Sequence, residues 1–283
     1  MTRTPRQRLI AGGVVTLAVA VATIASAQRI MVNPRMGGFS RTPPKWATAE
    51  DFDGSFIYCR GFYTSSRREA GGQGWSTDYP AADNNFSVRL MELTLAHVKL
   101  DPDRQPNTVV VRLSDPLLYR CPILFMEDTG TARFTNKEVE NLRDFFMKGG
   151  FLYVDDFWGT RAWEQWEAEI GRVLSPGEYP IFDIPRTHPI MHTLYDVKEI
   201  PQVSSINFWA VNGGSTSERG SDSPHANFRG IKDANGNLMV VMTHNTDISD
   251  TWEREGENHE YFEKFSPAGY AVGVNIVLYA MTH

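Results

Sequence analysis

The alternation of apolar and polar positions is clearest between residues 121 and 154. Two short apolar runs, PILFM and FLYV, have the length of buried strands. Between them, apolar side chains recur every three or four residues from Val139 to Phe146, which is the spacing of one helix face. A strand, a helix and a strand in this order predict a β-α-β unit, and such units build parallel sheets.

The predicted helix carries signals at both ends. Thr135 is followed three residues later by Glu138, which is the capping-box pattern, and two glycines follow the last apolar residue. The second strand then runs directly into Asp155 and Asp156. A buried strand that ends in two carboxylates needs a ligand or a structural partner for those charges.

Other segments show the same patterns more weakly. Asn235-Gly236 lies between two apolar arms and predicts a β-hairpin whose second arm ends at His244. A polar loop of about twenty residues follows the first predicted strand, and loops of that length are usually functional or mobile. The remaining predicted elements are strands at 56–63, 108–113, 121–127 and 179–184, and helices at 84–97, 160–174 and 266–283.

The first residues have the composition of a secretory signal peptide. Three arginines precede an uncharged apolar stretch, and the text ASA matches an A-x-A cleavage site. We therefore predict a signal peptide at 1–27, an extended arm at 28–53 and one α/β domain at 54–283. An uncleaved membrane anchor is the alternative, although the apolar stretch is shorter than the ~20 residues of a spanning helix.

Charge and cysteine content narrow the range of partners. Cleavage would remove three arginines and change the formal net charge from −6 to −9, so we predict an acidic protein that is periplasmic or secreted. This charge argues against nucleic acid or anionic lipid as the main partner. Cys59 and Cys121 lie in apolar, strand-like text, which favours buried thiols over a disulfide, although an oxidising compartment would permit the bridge.

Polar residues cluster where the predicted strands end. In an open α/β sheet, ligands bind outside the carboxyl ends of the strands, so residues distant in sequence can meet on one rim. The carboxylates after the FLYV strand are the central candidates. The complete candidate cleft consists of Asp155, Asp156, His188, His244, Asp247, Asp78, Trp75 and Asp128.

Each candidate also has a structural explanation. One of the adjacent aspartates could cap the following helix, and His188 before Pro189 could hold a turn. The text HPIMH resembles a zinc-binding spacing, but its proline argues against one helix face carrying both rings. The text THNTDISD offers oxygen ligands for calcium or magnesium, but a solvated turn rich in Asp and Asn is the commoner explanation. Whether a metal binds is therefore left open.

Several cofactor and nucleophile signatures are absent from the sequence. It contains no GxSxG elbow, no P-loop, no GxGxxG after a strand and no HExxH. Hydride transfer and nucleotide hydrolysis are thus disfavoured, and we predict no cofactor.

Six stretches of the sequence occur in the order of one bacterial family. They are GWSTDYPAADNNFSVRLMELT, YRCPILFMEDTG, LRDFFMKGGFLYVDDF, THPIMHTLYDV, VMTHNTDISDTWE and GVNIVLYAMTH. Together they resemble domain of unknown function 4159 over most of residues 54–283. The resemblance implies a flavodoxin-like three-layer α/β sandwich with a mainly parallel sheet, like that of class I glutamine amidotransferases, followed by a C-terminal hairpin and helix.

The resemblance also bears on chemistry. Asp155 and Asp156 stand near the place of the amidotransferase nucleophile, a cysteine, and neither Cys59 nor Cys121 can reach it, so amide transfer through a thioester is in doubt. Members of the family often occur beside MoxR-type ATPases and von Willebrand A-type proteins of the cell envelope. This association implies an assembly or ligand-sensing role.

Two functions therefore remain open for this sequence. The first is a non-catalytic module that uses a degenerate amidotransferase-like cleft to hold an envelope protein partner or a small polar ligand. The alternative is a hydrolase acting on a glycan or amide, with or without a metal, through Asp and His residues at the strand ends. Neither hypothesis involves nucleic acid, and attachment to a membrane is expected only through an uncleaved signal segment.

Overall fold

The computed structural model describes residues 42–283 of the chain. The predicted signal peptide and most of the predicted arm lie outside these described residues. Within the described range, no helix combines the length and the apolar character that crossing a bilayer requires.

A seven-stranded sheet forms the centre of the domain. Its order is β3-β1-β4-β6-β9-β8-β7, and the first five of these strands run parallel, in the 2-1-3-4-5 order of flavodoxin-like sheets. A short two-stranded sheet pairs β2 with β5. The strands are β1 Tyr58–Phe62, β2 Thr64–Ser65, β3 Thr108–Arg112, β4 Leu124–Glu127, β5 Ala132–Arg133, β6 Leu152–Asp155, β7 Phe182–Asp183, β8 Asn227–Lys232 and β9 Leu238–His244.

Helices cover both faces of the sheet. One core cluster joins α1, α6 and one sheet face, and a second cluster joins α2, α3 and the other face. The predicted three-layer α/β sandwich is therefore confirmed. The helices are α1 Ala81–Leu93, α2 Asn136–Met147, α3 Gly159–Val173, α4 Ile206–Val211, α5 Asp250–Glu253 and α6 His259–Thr282.

The strongest local predictions are confirmed, and the errors lie at element ends. The capping box at the start of α2 forms in both directions, and β8 and β9 form the predicted hairpin. The helix predicted at 84–97 instead occupies Ala81–Leu93, because its acidic first turn is buried against an arginine of β1 rather than exposed as a cap. The last helix begins at His259, with Pro267 inside it.

The preference for free thiols was wrong. Cys59 on β1 and Cys121 just before β4 form a disulfide, with their Cα atoms 5.9 Å apart. Both residues are buried. The physical reason is that β1 and β4 are sheet neighbours, so two cysteines 62 residues apart in sequence come within bonding range.

The described part of the N-terminal arm covers one edge of the sheet. Val110 in the edge strand β3 donates its backbone N–H to Lys45 and accepts one from Ala47, and Trp46 makes a parallel bridge to it. Arg112 lies over the Trp46 ring, with its guanidinium carbon 3.4 Å from the ring centre. The arm is therefore attached to the domain by both backbone and side-chain contacts.

Candidate functional site

A cavity of about 390 Å³ lies beyond the carboxyl ends of β4, β6 and β9. This is the position at which open α/β sheets bind ligands. Eight of the eighteen residues around it are acidic. The cavity is lined by Glu69, Ala70, Gly71, Gly72, Gln73, Thr77, Asp78, Asp128, Asp156, Trp158, Ser205, Asn207, Glu218, Arg219, Asp247, Asp250, Glu253 and Arg254.

Three buried carboxylates converge in this cavity. Asp156 follows β6, Asp247 follows β9, and Asp78 lies in the segment that leads into α1. One oxygen of each lies within 4.8 Å of an oxygen of the other two. Oδ2 of Asp78 is fully buried and has no hydrogen-bond partner among the described residues. We call these three residues the carboxylate triad.

The backbone at these positions has an unusual conformation. Asp78, Asp128, Asp156 and Asn245 all have positive φ, between 48° and 61°. Aspartate and asparagine enter this region more readily than other residues with side chains. Three of the four directly follow a parallel strand, so the same turn aims a polar side chain at each strand end.

The two adjacent aspartates at the end of β6 have different roles. Asp155 points beneath the cavity, where it accepts hydrogen bonds from Thr243 Oγ1 at 2.5 Å and from the Ser249 N–H at 2.8 Å. Asp156 faces the cavity and accepts a bond from Trp158 Nε1 at 2.9 Å. Asp155 is thus a support, and Asp156 is the residue available to a ligand.

Neither of these aspartates caps α3, although the sequence left that explanation open. Asn245 Oδ1 accepts the N–H of Gly159 at 2.8 Å, and Asp222 accepts the N–H of Thr160 at 3.0 Å. These two residues hold the start of the helix. The carboxylate of Asp156 is therefore not occupied by the helix terminus.

A buried arginine positions the segment that carries Asp78. Arg60 of β1 is fully inaccessible and makes an ion pair with Asp83 in the first turn of α1. Its Nη1 donates to the carbonyl of Thr77 at 2.8 Å, one residue before Asp78. Glu127 lies 3.8 Å from the same guanidinium. Arg60 therefore joins β1, α1 and the cavity wall.

A second group of acidic residues also includes Asp78, but an arginine side chain already pairs with its other two members. Oxygens of Asp78, Asp250 and Glu253 also lie within 4.8 Å of one another. Arg254 Nε lies 3.1 Å from Asp250 and 2.8 Å from Glu253. Its guanidinium thus offsets part of the charge on that side of the cavity, whereas no described arginine or lysine makes an ion pair with a carboxylate of the triad.

Burial raises the pKa of the acids at this site. The pKa values of Asp78, Asp156 and Asp247 lie well above the usual range, first because of desolvation and then because of neighbouring carboxylates. Desolvation also raises the pKa of Asp128 to about 7, although the Gly74 N–H donates to its carboxylate at 2.7 Å. Burial and mutual repulsion therefore disfavour ionisation of these acids unless a cation accompanies them.

A further buried carboxylate lies beneath the cavity floor. Glu127 ends β4 and accepts a hydrogen bond from Ser249 Oγ at 2.9 Å. Desolvation raises its pKa to about 8 despite the nearby Arg60. Its Oε2 has no partner among the described residues.

The structure brings four of the predicted site residues together and separates the others. Asp78, Asp128, Asp156 and Asp247 line the cavity, and Asp155 lies beneath it. The remaining three do not line it. Trp75 packs between Phe62 and Tyr79. His188 accepts the Ile190 N–H and packs against Tyr279. His244 lies against Phe157 and Trp163.

The two histidines of HPIMH are held in a turn. His192 contacts Asp196 and the carbonyl of Arg186 through its two ring nitrogens, at 2.9 and 2.8 Å. His188 Nδ1 is used within the same turn. These contacts match the turn-holding explanation, and the two rings do not combine into a metal-ligand group in the described part of the chain.

Sequence reasoning missed Arg60, Glu218, Asp250 and Glu253. Asp250 ends the text THNTDISD, for which a cation site and a solvated turn were both considered, whereas Glu253 lies just beyond it and was not considered. An arginine within the apolar strand FIYCRGFY was a stronger signal, because a buried cation requires a buried acid. Nothing in the sequence around Glu218 indicated that it would line the cavity.

The donor set of the triad suits a hard divalent cation. Its ligand atoms are carboxylate oxygens only, without sulfur or imidazole. Calcium, magnesium and manganese prefer such ligands, whereas zinc and copper favour nitrogen or sulfur.

Comparison with known proteins gives the family but no activity. No curated protein matches the chain. One family model, described as a domain of unknown function, matches residues 65–281, which include the whole cavity wall and three-quarters of the sequence. The chain therefore belongs to the DUF4159 family.

Proposed function

We propose that the domain is a ligand-binding module that holds a divalent cation in the carboxylate triad and presents it to a small polar ligand. The observation that carries this proposal is the buried, unpartnered Oδ2 of Asp78 among three converging carboxylates. Ionisation of this carboxylate without a partner would cost several kcal/mol, and a bound cation would supply the partner.

The spacing of the triad supports a cation rather than a larger group. Three oxygens no more than 4.8 Å apart can all lie within about 2.8 Å of one point, the separation divided by √3. Calcium–oxygen bonds are about 2.3–2.6 Å long, so a small contraction completes the site. Calcium takes 6–8 oxygen ligands, which leaves positions open toward the cavity.

We expect one cation, bound at the triad, because Arg254 already pairs with Asp250 and Glu253 of the second acidic group. A metal bound by Asp250 and Glu253 would compete with this guanidinium for both acids. We therefore expect a stoichiometry of one.

Substitution of triad residues tests the site directly. We expect Asp78→Asn and Asp247→Asn each to weaken calcium or manganese binding by at least ~30-fold, because each removes a charged ligand. Isothermal titration of the purified full chain measures this effect. Asp103→Asn, an exposed acid outside the cavity, is the matched control.

Two results would oppose the proposal. The first is the absence of calcium, magnesium and manganese binding at about 1 mM. The second is stoichiometric binding that Asp78→Asn leaves unchanged, since this would place the cation elsewhere.

The free energy of unfolding should decrease as the pH rises, which is opposite to the effect of carboxylates whose pKa is lowered by an ion pair. Buried acids with raised pKa stay protonated when folded but ionise in the unfolded chain, so stability should fall as pH rises from about 4 to about 8. Asp128, with a pKa of about 7, and Glu127, with a pKa of about 8, set the upper part of this window. We expect the Tm of the cation-free protein to drop by roughly 5 °C or more between pH 5 and pH 8.

Cation binding should oppose this loss, because a cation binds only the folded, ionised triad. A thermal-shift series in EDTA and in calcium measures both curves. A cation-free Tm that rises with pH would contradict the pKa directions, and equal curves with and without calcium would contradict the triad as a cation site.

A metal-assisted hydrolase is the second candidate. The observation that favours it is Asp128, which lines the cavity and has a pKa of about 7, near the value suited to a general base at neutral pH. His188 and His244 would take no part, because neither lines the cavity. Calcium- or manganese-dependent release of product from a glycan or amide, lost in Asp128→Asn, would place this candidate first.

Export to the periplasm or beyond is part of the same proposal. The disulfide between Cys59 and Cys121 supports it, because such bonds persist mainly in oxidising compartments. An envelope protein is the proposed alternative occupant of the cavity. Fractionation of cells producing the tagged full chain tests the location.

A further inference from the structure

The charge balance of the cavity restricts the ligand that can accompany a cation. Eight carboxylates and two arginines line it. Four of these carboxylates, Glu69, Glu218, Asp250 and Glu253, have arginine partners. The triad and Asp128 make no ion pair with a described basic side chain, so one divalent cation still leaves an excess of negative charge. An anionic ligand would enter against this charge.

The hydrogen-bonding character of the wall restricts it further. Its eight carboxylates are acceptors, and the N–H groups of Trp158, Arg219 and Arg254 already donate to acids of the same wall. A fitting group must donate hydrogen bonds to carboxylates and must also offer lone pairs to the cation. A hydroxyl does both, an ammonium group has no lone pair, and a carboxylate has no proton to donate.

The size of the cavity agrees with a small polyol. Its volume of about 390 Å³ lies at the lower end of ordinary small-molecule sites, which are about 300–1,000 Å³. One or two sugar residues fill such a space. Two vicinal hydroxyls can occupy neighbouring open positions on a calcium ion, which accepts flexible oxygen geometry.

Asp128 is the acceptor best placed for such a ligand. It lines the cavity but does not belong to the triad. The Gly74 N–H donates to its Oδ2, which fixes the carboxylate. Gly72 packs so closely that an added Cβ would lie 2.3 Å from this oxygen, so the wall holds Asp128 in place without covering it with a side chain.

We infer that the ligand of this domain is a neutral saccharide whose vicinal hydroxyls coordinate the triad-bound cation while Asp128 accepts a hydrogen bond from a hydroxyl. This inference rests on the proposed cation site, and it adds the ligand class and the residue that selects it.

The test is a titration of the calcium-loaded full chain with individual sugars, followed by NMR of the protein amides or by calorimetry. The neutral probes are D-mannose, D-galactose, D-glucose and L-fucose, which together present cis and trans diols. D-galacturonate and D-glucosamine are the charged controls. We expect at least one neutral sugar to bind in calcium but not in EDTA, and to bind about tenfold more tightly than either control.

Asp128→Asn tests the selecting residue. Asparagine can still accept the Gly74 N–H through its amide oxygen, so the wall should keep its shape. We expect sugar affinity to fall about tenfold while calcium affinity changes less than about threefold. Asp103→Asn, at an exposed acid outside the cavity, should leave sugar affinity unchanged.

The outcomes separate this inference from the proposed function. If calcium binds and no neutral sugar binds at about 50 mM, or galacturonate binds more tightly, the saccharide assignment fails and the cation site stands. If calcium itself does not bind, both fail. If a sugar binds and Asp128→Asn has no effect, Asp128 is not the selecting residue.

Discussion

Replacement of Arg60 by methionine is expected to destabilise the domain by about 3–5 kcal/mol, because it leaves the buried carboxylate of Asp83 without its partner. Both members of this ion pair are fully inaccessible to solvent. The same guanidinium lies 3.8 Å from Glu127, so a second buried acid also loses its nearest cation. Urea unfolding followed by circular dichroism measures the loss.

Cation affinity should fall in the same variant by a separate route. Arg60 holds the carbonyl of Thr77, and without that bond Asp78 loses its fixed position in the triad. We expect calcium binding to weaken about tenfold at a temperature where the variant remains folded.

The double variant Arg60→Met/Asp83→Leu is the informative control. Removing both charges of a buried pair often costs much less than removing one. We expect it to regain most of the stability but not the calcium affinity. If Arg60→Met lowers the free energy of unfolding by less than about 1 kcal/mol, the ion pair does not stabilise the junction of β1, α1 and the cavity wall.

Loss of the disulfide should have the second largest effect on stability. Cys59 and Cys121 are 62 residues apart, and closing a loop of this length restricts the unfolded chain by about 4 kcal/mol in the chain-entropy description. Measured losses are usually about 2–4 kcal/mol, so we expect Cys59→Ala/Cys121→Ala to fall in that range. Thermal and urea unfolding, with and without reductant, give the value.

The reductant supplies the internal control for this prediction. It should destabilise the natural protein by an amount similar to that of the double variant, and it should leave the double variant unchanged. A natural protein that is insensitive to reductant after full unfolding and refolding would show that the thiols are free.

The α/β sandwich could be predicted because its central unit carries several agreeing signals. In α2, the periodic apolar face, the Thr135 and Glu138 capping box and the terminal glycines all specify the same helix. The element boundaries were less predictable. Asp83 has the chemistry of a cap, but its pairing with Arg60 is a tertiary contact, which local sequence does not contain.

The candidate site was partly predictable for a similar reason. The rule that ligands meet strand ends brought Asp156, Asp128 and Asp247 to one cavity without any knowledge of side-chain direction. It could not separate Asp155 from Asp156, because that depends on a left-handed turn at Asp156. It also could not exclude His244. This residue ends β9 at the same edge of the sheet, but its ring packs against Trp163 and does not line the cavity.

The edges of the main sheet limit how this domain can join other proteins. The arm occupies the middle of β3 through Lys45 and Ala47, and the opposite edge strand, β7, has only two residues. Exposed edge strands are the usual templates for adding a strand from another chain. With both edges covered or short, a protein partner would have to recognise side-chain surfaces or the cavity. The arm thereby disfavours backbone pairing between copies through the edge strand β3.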